Sequence, residues 1–101
     1  MPLKKTDDKM IDEMFSLIAS LESSEDINAL FRDLCTDTEI RQMAQRIHAA
    51  KLLIAGKTYN QVIEETDISS ATLSRVSRCV RYGNGYSRFL KIPEENTNEN
   101  N

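Results

Sequence analysis

Residues 70–82, the run SATLSRVSRCVRY, hold the side chains best suited to chemistry in this chain. On a helix at about 100° per residue, Leu73, Val76 and Val80 share one narrow stripe, and Ala71, Ser74, Arg75, Arg78 and Tyr82 fall on the opposite side. The first side packs. The second is small, hydroxylated and basic, which suits non-covalent recognition of a polyanion: small residues allow close approach to base edges, and guanidinium groups behind them reach guanine or phosphate. Bond-making chemistry is not indicated. The chain has no Gly-rich phosphate loop, no nucleophile paired with histidine, and no carboxylates clustered on one helical face, so it reads as no enzyme. His48 stands without a partner in a long helical pattern and reads as a surface or interface residue. Cys35 and Cys79 lie far apart with no metal-ligand pattern around them, so free, mostly buried thiols are expected, with neither a metal nor a bound cofactor.

Such a helix must be held by a neighbour. Thr58 with Gln61 three residues on is a capping box, in which the hydroxyl caps the backbone and the amide reaches back to the N–H of Thr58. Val62 and Ile63 give this leading helix an apolar face. Asp67, Ile68, Ser69 and Ser70 then supply a turn former, a buried plug and two candidate N-caps, so that the second helix starts near Ser70. The register of Val62, Ile68, Leu73 and Val76 is that of a helix-turn-helix over about residues 58–82. It has Ile63 where a small residue is common and Asp67 where glycine is common, although Asp tolerates a left-handed backbone. Tyr59, Asn60 and Gln61 on the leading helix, with Ser70, Ala71, Ser74, Arg75 and Arg78 on the second, are the candidate DNA-binding residues.

Net charge over the 101 residues is -3, with 40% apolar content, enough for one domain with a core. The charge is unevenly spread. Residues 1–40 hold four basic and ten acidic side chains, and residues 41–91 hold nine basic and three acidic ones. Between 70 and 91 stand Arg75, Arg78, Arg81, Arg88 and Lys91 with no acid among them, a local field that attracts a polyanion against the overall charge. No apolar run approaches the roughly 18 residues that span a bilayer, and MPLKKTDDKM lacks a signal peptide's apolar stretch, so a cytoplasmic protein is expected.

Ahead of the pair, a helix is expected from about Thr6, with Met10, Ile11, Met14, Phe15, Ile18 and Leu21 on one face. A shorter helix with Ile27, Leu30, Phe31 and Leu34 follows. Thr36 and Glu39 form a second capping box that opens the longest helix, striped by Ile40, Met43, Ala44, Ile47, Ala50 and Ile54 and stopped at Gly56. These broad apolar faces exceed what the pair can cover, which predicts a homodimer with most of its interface in residues 6–55. After a turn at Gly83, Asn84 and Gly85, residues Tyr86, Phe89, Leu90 and Ile92 suit a last short helix packed on the core. The expected layout is a flexible stretch over 1–5, one helical domain over 6–92 and a disordered tail over 93–101.

The segments LCTDTEIRQMAQRI, LLIAGKTYNQVIEE and ATLSRVS, spanning about Leu34 to Val80 in one register, resemble the Trp repressor superfamily, and within it the YerC/YecD-like branch of TrpR-related proteins. The resemblance implies an all-α, intertwined helical dimer that binds operator DNA through its helix-turn-helix. It further implies an amino-acid corepressor beside the recognition helix, setting its angle, in a pocket whose lining positions match Thr36, Arg46, Thr72 and Arg75. The two arginines would hold the ring between them. Two positions depart from the tryptophan-responsive pattern: Val76 replaces a glycine, intruding where a flat ring needs room, and Cys79 replaces a serine. Glu64 stands where the repressor has a lysine near the phosphates, a replacement expected to lower non-specific affinity or to change the backbone contacts. A sequence-specific transcriptional regulator, a repressor acting with or without an effector, is therefore expected. The alternative is a protein-interaction module that uses the same basic face without DNA.

Overall fold

The computed structural model describes residues 5–90, and within that span side-chain surroundings from residue 7 onward. Six helices and no strands are found among these residues: α1 (Lys5–Ser20), α2 (Ser24–Leu34), α3 (Asp37–Ile54), α4 (Tyr59–Thr66), α5 (Ser70–Tyr82) and α6 (Tyr86–Phe89). The expectations for Lys91, for Ile92 in the last helix and for the tail over 93–101 lie outside the described residues, as do most of those for residues 1–5.

Local signals account for the helix ends. Ser23 caps α2 by accepting from the N–H of Asp26 at 3.0 Å. Thr36 and Glu39 form the anticipated reciprocal pair at the start of α3: the Glu39 N–H donates to Thr36 Oγ1 at 3.1 Å, and the Thr36 N–H donates to Glu39 Oε1 at 2.8 Å. α3 is the longest helix and ends before Gly56, whose φ of 95° is one that side chains with a Cβ rarely adopt.

The chain divides into two compact units, one up to Ile40 and one from Arg41 on. In the first unit, the apolar stripes of α1 and α2 remain largely open to solvent: Met10, Ile11, Met14, Phe15, Leu17, Ile27 and Leu34 are all exposed, and α2 buries no residue. In the second unit a small core gathers Ala49 and Ala50 of α3, Val62 of α4, Ile68 of the turn, and Leu73 and Val76 of α5. Leu52, Leu53, Ile63, Val80, Tyr86 and Leu90 pack around it. The α3 stripe anticipated from spacing is shifted here. Ala50 is buried as the stripe anticipates, but its buried neighbour is Ala49, whose small side chain lets neighbouring helices approach closely, and Ile47 is left exposed.

Three further expectations change. Phe89 was expected on the core but is exposed, its ring beneath the Arg88 guanidinium at 5.1 Å, while Tyr86 and Leu90 of the same segment do pack inward. Cys79 is exposed and Cys35 half-buried, since α5 turns its 79 position outward. His48 has a partner, with Nε2 lying 3.4 Å from Glu65 Oε2 on α4.

Candidate nucleic-acid interface

α4 begins where its sequence says it should. Thr58 Oγ1 accepts from the Gln61 N–H at 3.2 Å, and Gln61 Oε1 accepts from the Thr58 N–H at 2.9 Å, completing the capping box. An N-cap of this type contributes about 1 kcal/mol. Thr58→Ala should therefore lower the unfolding free energy by about that amount, read from the shift of a urea midpoint; an unchanged midpoint would show that the cap is not needed.

The turn of residues 67–69 is fixed by three devices. Asp67 takes a left-handed conformation, φ 62° and ψ 22°, and its N–H donates to the Ile63 carbonyl at 2.8 Å. That backbone is open to Asp at modest cost, which is how the chain does without the expected glycine. Thr66 Oγ1 donates to the Val62 carbonyl at 2.7 Å and accepts from the Ile68 N–H at 3.3 Å, while Gln45 of α3 donates its amide to the Thr66 carbonyl at 3.0 Å. Ile68 is buried beneath the turn. Ser69 then caps α5, accepting from the Thr72 N–H at 3.1 Å, so the two helices are joined by three residues and locked through Val62, Ile68, Leu73 and Val76.

The outward side of α5 is consequently free of packing duty. Ser70, Ala71, Ser74, Arg75, Arg78 and Tyr82 are exposed, and Ala71, Ser74, Arg75 and Arg78 together line a shallow groove of about 290 Å³. No hydrogen bond or ion pair occupies Arg75 or Arg78 among the described residues. Of the α4 candidates, Tyr59, Asn60 and Gln61 are exposed on its first turn. Gln61 has its carbonyl oxygen committed to the cap, leaving its amide N–H groups as donors. Gln61 also lines a separate groove with Lys57, Glu64 and Glu65, so the acidic Glu64 stands beside it.

Behind α5 lies a second cavity of about 440 Å³, lined by Arg46, Thr72, Arg75, Val76, Cys79 and Tyr86. This volume is within the roughly 300–1,000 Å³ of small-molecule sites. Three of the four candidate effector residues meet here. The fourth, Thr36, belongs to the other unit, where its hydroxyl caps α3. Val76 does not fill the cavity: its side chain is 2% exposed, drawn into the core, and forms part of the cavity wall. Tyr86 was missed as a lining residue, because its place depends on how α6 folds back against α5 after Gly83. A Cβ at Gly83 would sit 2.7 Å from the Cys79 carbonyl oxygen, so that close return requires glycine.

Among the described residues no group of three His, Cys, Asp or Glu side chains could hold a metal ion. No described helix is long and apolar enough to cross a membrane.

Comparison with known proteins places this arrangement. Residues 9–92 match the family described as Trp repressor protein. The uncharacterized protein YerC of Bacillus subtilis (strain 168) is 41% identical over 100 residues, covering 98% of this chain and 96% of its own. Two crystal structures superpose closely. One is of a candidate Trp repressor from Staphylococcus aureus, with TM-score 0.78, 36% identity, and coverage of 87% of this chain and 92% of that one. The other is of a TrpR-like protein from Eubacterium eligens ATCC 27750, with TM-score 0.76, 40% identity, and coverage of 79% and 84%.

Proposed function

Because the chain belongs to the Trp repressor family, we propose that it is a sequence-specific, DNA-binding transcriptional regulator that represses by occupying a promoter as a homodimer. The observation that carries this reading is the outward groove of α5, where Ala71 and Ser74 leave room for base edges and Arg75 and Arg78 supply unpaired guanidinium groups. The fold supports it in two ways. Leu73 and Val76 hold α5 by its opposite side, so the reading surface is rigidly backed. The exposed stripes of α1 and α2 include Phe15, 59% exposed, and Leu34, 53% exposed, more apolar surface than a small monomer ordinarily leaves open. A second copy covering them would set two α5 helices in two-fold symmetry, suited to half-sites about 34 Å apart.

Selection of bound duplexes from a random library should yield a two-fold symmetric site with that spacing. Affinity for it should fall with added salt, with a slope of about 0.9 per phosphate neutralised on a log–log scale. Failure to bind any duplex at low salt would overturn the reading and favour an acidic protein surface as the partner of this face. Binding to an asymmetric single half-site would overturn the dimer alone.

A further inference from the structure

The three glycines of this chain are not alike. Gly56 answers a left-handed backbone and Gly83 a close return, but Gly85 has φ -90° and ψ -66°, open to any residue, and a Cβ there would meet nothing within 4 Å. Packing and backbone shape therefore leave Gly85 unexplained. What glycine does provide at this position is an unhindered backbone nitrogen directly after Asn84. We propose that the Asn84 and Gly85 pair is a site of self-modification, at which Asn84 is converted to an acidic residue, and that the conversion weakens duplex binding. The first half stands by itself; the second rests on the DNA-binding reading above.

The chemistry needs an amide carbon, a nitrogen able to reach it, and room. Asn84 and Gly85 are both exposed, in the segment between α5 and α6. The Gly85 carbonyl accepts from the Phe89 N–H at 3.0 Å, but the N–H of Gly85 has no acceptor among the described residues, and the side-chain amide of Asn84 is likewise unengaged there. The Gly85 nitrogen gives its proton to water or hydroxide and attacks Asn84 Cγ. The N–Cγ bond forms, the Cγ–Nδ2 bond breaks, and Nδ2 takes up a proton and leaves as ammonia. Water then opens the cyclic imide. Cleavage of the N–Cγ bond leaves aspartate; cleavage between the Gly85 nitrogen and the Asn84 backbone carbonyl carbon leaves isoaspartate, with the chain running through the side chain. Either way a water is consumed, the Gly85 nitrogen regains its proton, and no atom changes oxidation state.

The product places a negative charge among positive ones. Arg81 precedes position 84 by three residues and Arg88 follows it by four; both are exposed, neither has an ion pair among the described residues, and no acid stands between residues 70 and 90. A carboxylate there lowers the local field that draws in a polyanion. The other described asparagines supply the contrast. Asn28 lies within α2 and Asn60 within α4, each is followed by a residue with a side chain, and the Gln61 N–H after Asn60 is committed to Thr58 Oγ1 at 3.2 Å.

The test follows the full chain through warm incubation at mildly alkaline pH, with a synthetic peptide of residues 82–88 as the reference. Cleavage after Arg81 and Arg88 releases YGNGYSR, in which Asn84 is the sole amide side chain, so mass mapping reads its conversion without overlap. Enzymatic carboxyl methylation identifies isoaspartate. The proposal expects the folded chain to convert at Asn84 at a rate comparable with that of the peptide, while Asn28 and Asn60 persist. Gly85→Ala, which the open surroundings accommodate, should suppress the conversion. Conversion of that variant as fast as the wild type would overturn the proposal, as would an Asn84 that persists alongside Asn28 and Asn60 while the peptide converts. For the second half, Asn84→Asp should raise the Kd of a selected duplex by about 1.5- to fivefold at low ionic strength, an effect that shrinks as salt is added, and fully converted protein should show at least that rise. An unchanged or lowered Kd for either would overturn the link to DNA. If no duplex binds at low salt, the DNA-binding reading fails and takes the second half with it, while mass mapping decides the first.

Discussion

Leu73→Ala is expected to lower the unfolding free energy by about 2–5 kcal/mol, and to weaken duplex binding without touching any DNA-facing side chain. Leu73 is fully buried on the first turn of α5, among the largest fully buried side chains with Ile68, Val62 and Val76. The buried set holding α3, α4, the turn and α5 together is only six residues, two of them alanines. Truncation would leave a void where α5 meets α4, and a helix pair joined by three residues has little freedom to collapse into it. Small domains are stable by only about 5–15 kcal/mol, so a loss of this size removes a large share of that margin. A urea titration should show the midpoint falling at constant slope, whereas Leu73→Met, close in volume, should cost less than about 1.5 kcal/mol. A cost below about 1 kcal/mol for the alanine variant would show that the core is not organised around this side chain.

That prediction could be written from spacing alone, and the reason is physical. The stripe of Leu73 and Val76, the capping pairs Thr58 with Gln61 and Thr36 with Glu39, and the left-handed Asp67 are set within a few residues of chain, where periodicity and backbone hydrogen bonding leave few alternatives. Features that depend on how helices approach one another were not legible. The His48 to Glu65 pair spans 17 residues, and Tyr86 reaches the cavity only because α6 returns against α5. Spacing put both Ile47 and Ala50 on the core; Ala50 is buried there, but Ile47 is exposed and Ala49, outside the anticipated stripe, is buried instead, because which part of a broad apolar face is covered depends on the neighbour. The double place of Arg75 belongs to the same class. Sequence could set its direction on α5, but only the packing of α3 and α6 creates a second surface for it to line.

Arg78→Ala is expected to raise the Kd for the preferred duplex by about five- to 150-fold, the equivalent of the roughly 1–3 kcal/mol that a good bidentate base contact provides. Unlike Arg75, Arg78 lines the outward groove and is absent from the lining of the cavity, so its loss reports on DNA with no contribution from a small ligand. It stands four residues after Ser74 and seven after Ala71, one and two turns further along the same exposed face. Two kinds of contact are open to it, and they leave different traces. A guanine contact predicts a loss confined to the preferred sequence, with Arg78→Lys failing to restore it, because an ammonium cannot reproduce the planar fork. A phosphate contact predicts an equal loss on all sequences, a salt slope lower by about one, and recovery with lysine. The small neighbours Ala71 and Ser74 favour the guanine contact, since they let the helix approach closely enough for a side chain of this length to reach a base edge. The acidic balance of the rest of the chain, -3 overall, keeps the non-specific background low enough for the two patterns to be told apart. Wild-type affinity on every duplex would remove Arg78 from the interface, and with it the reading of this face of α5 as the surface that distinguishes one sequence from another.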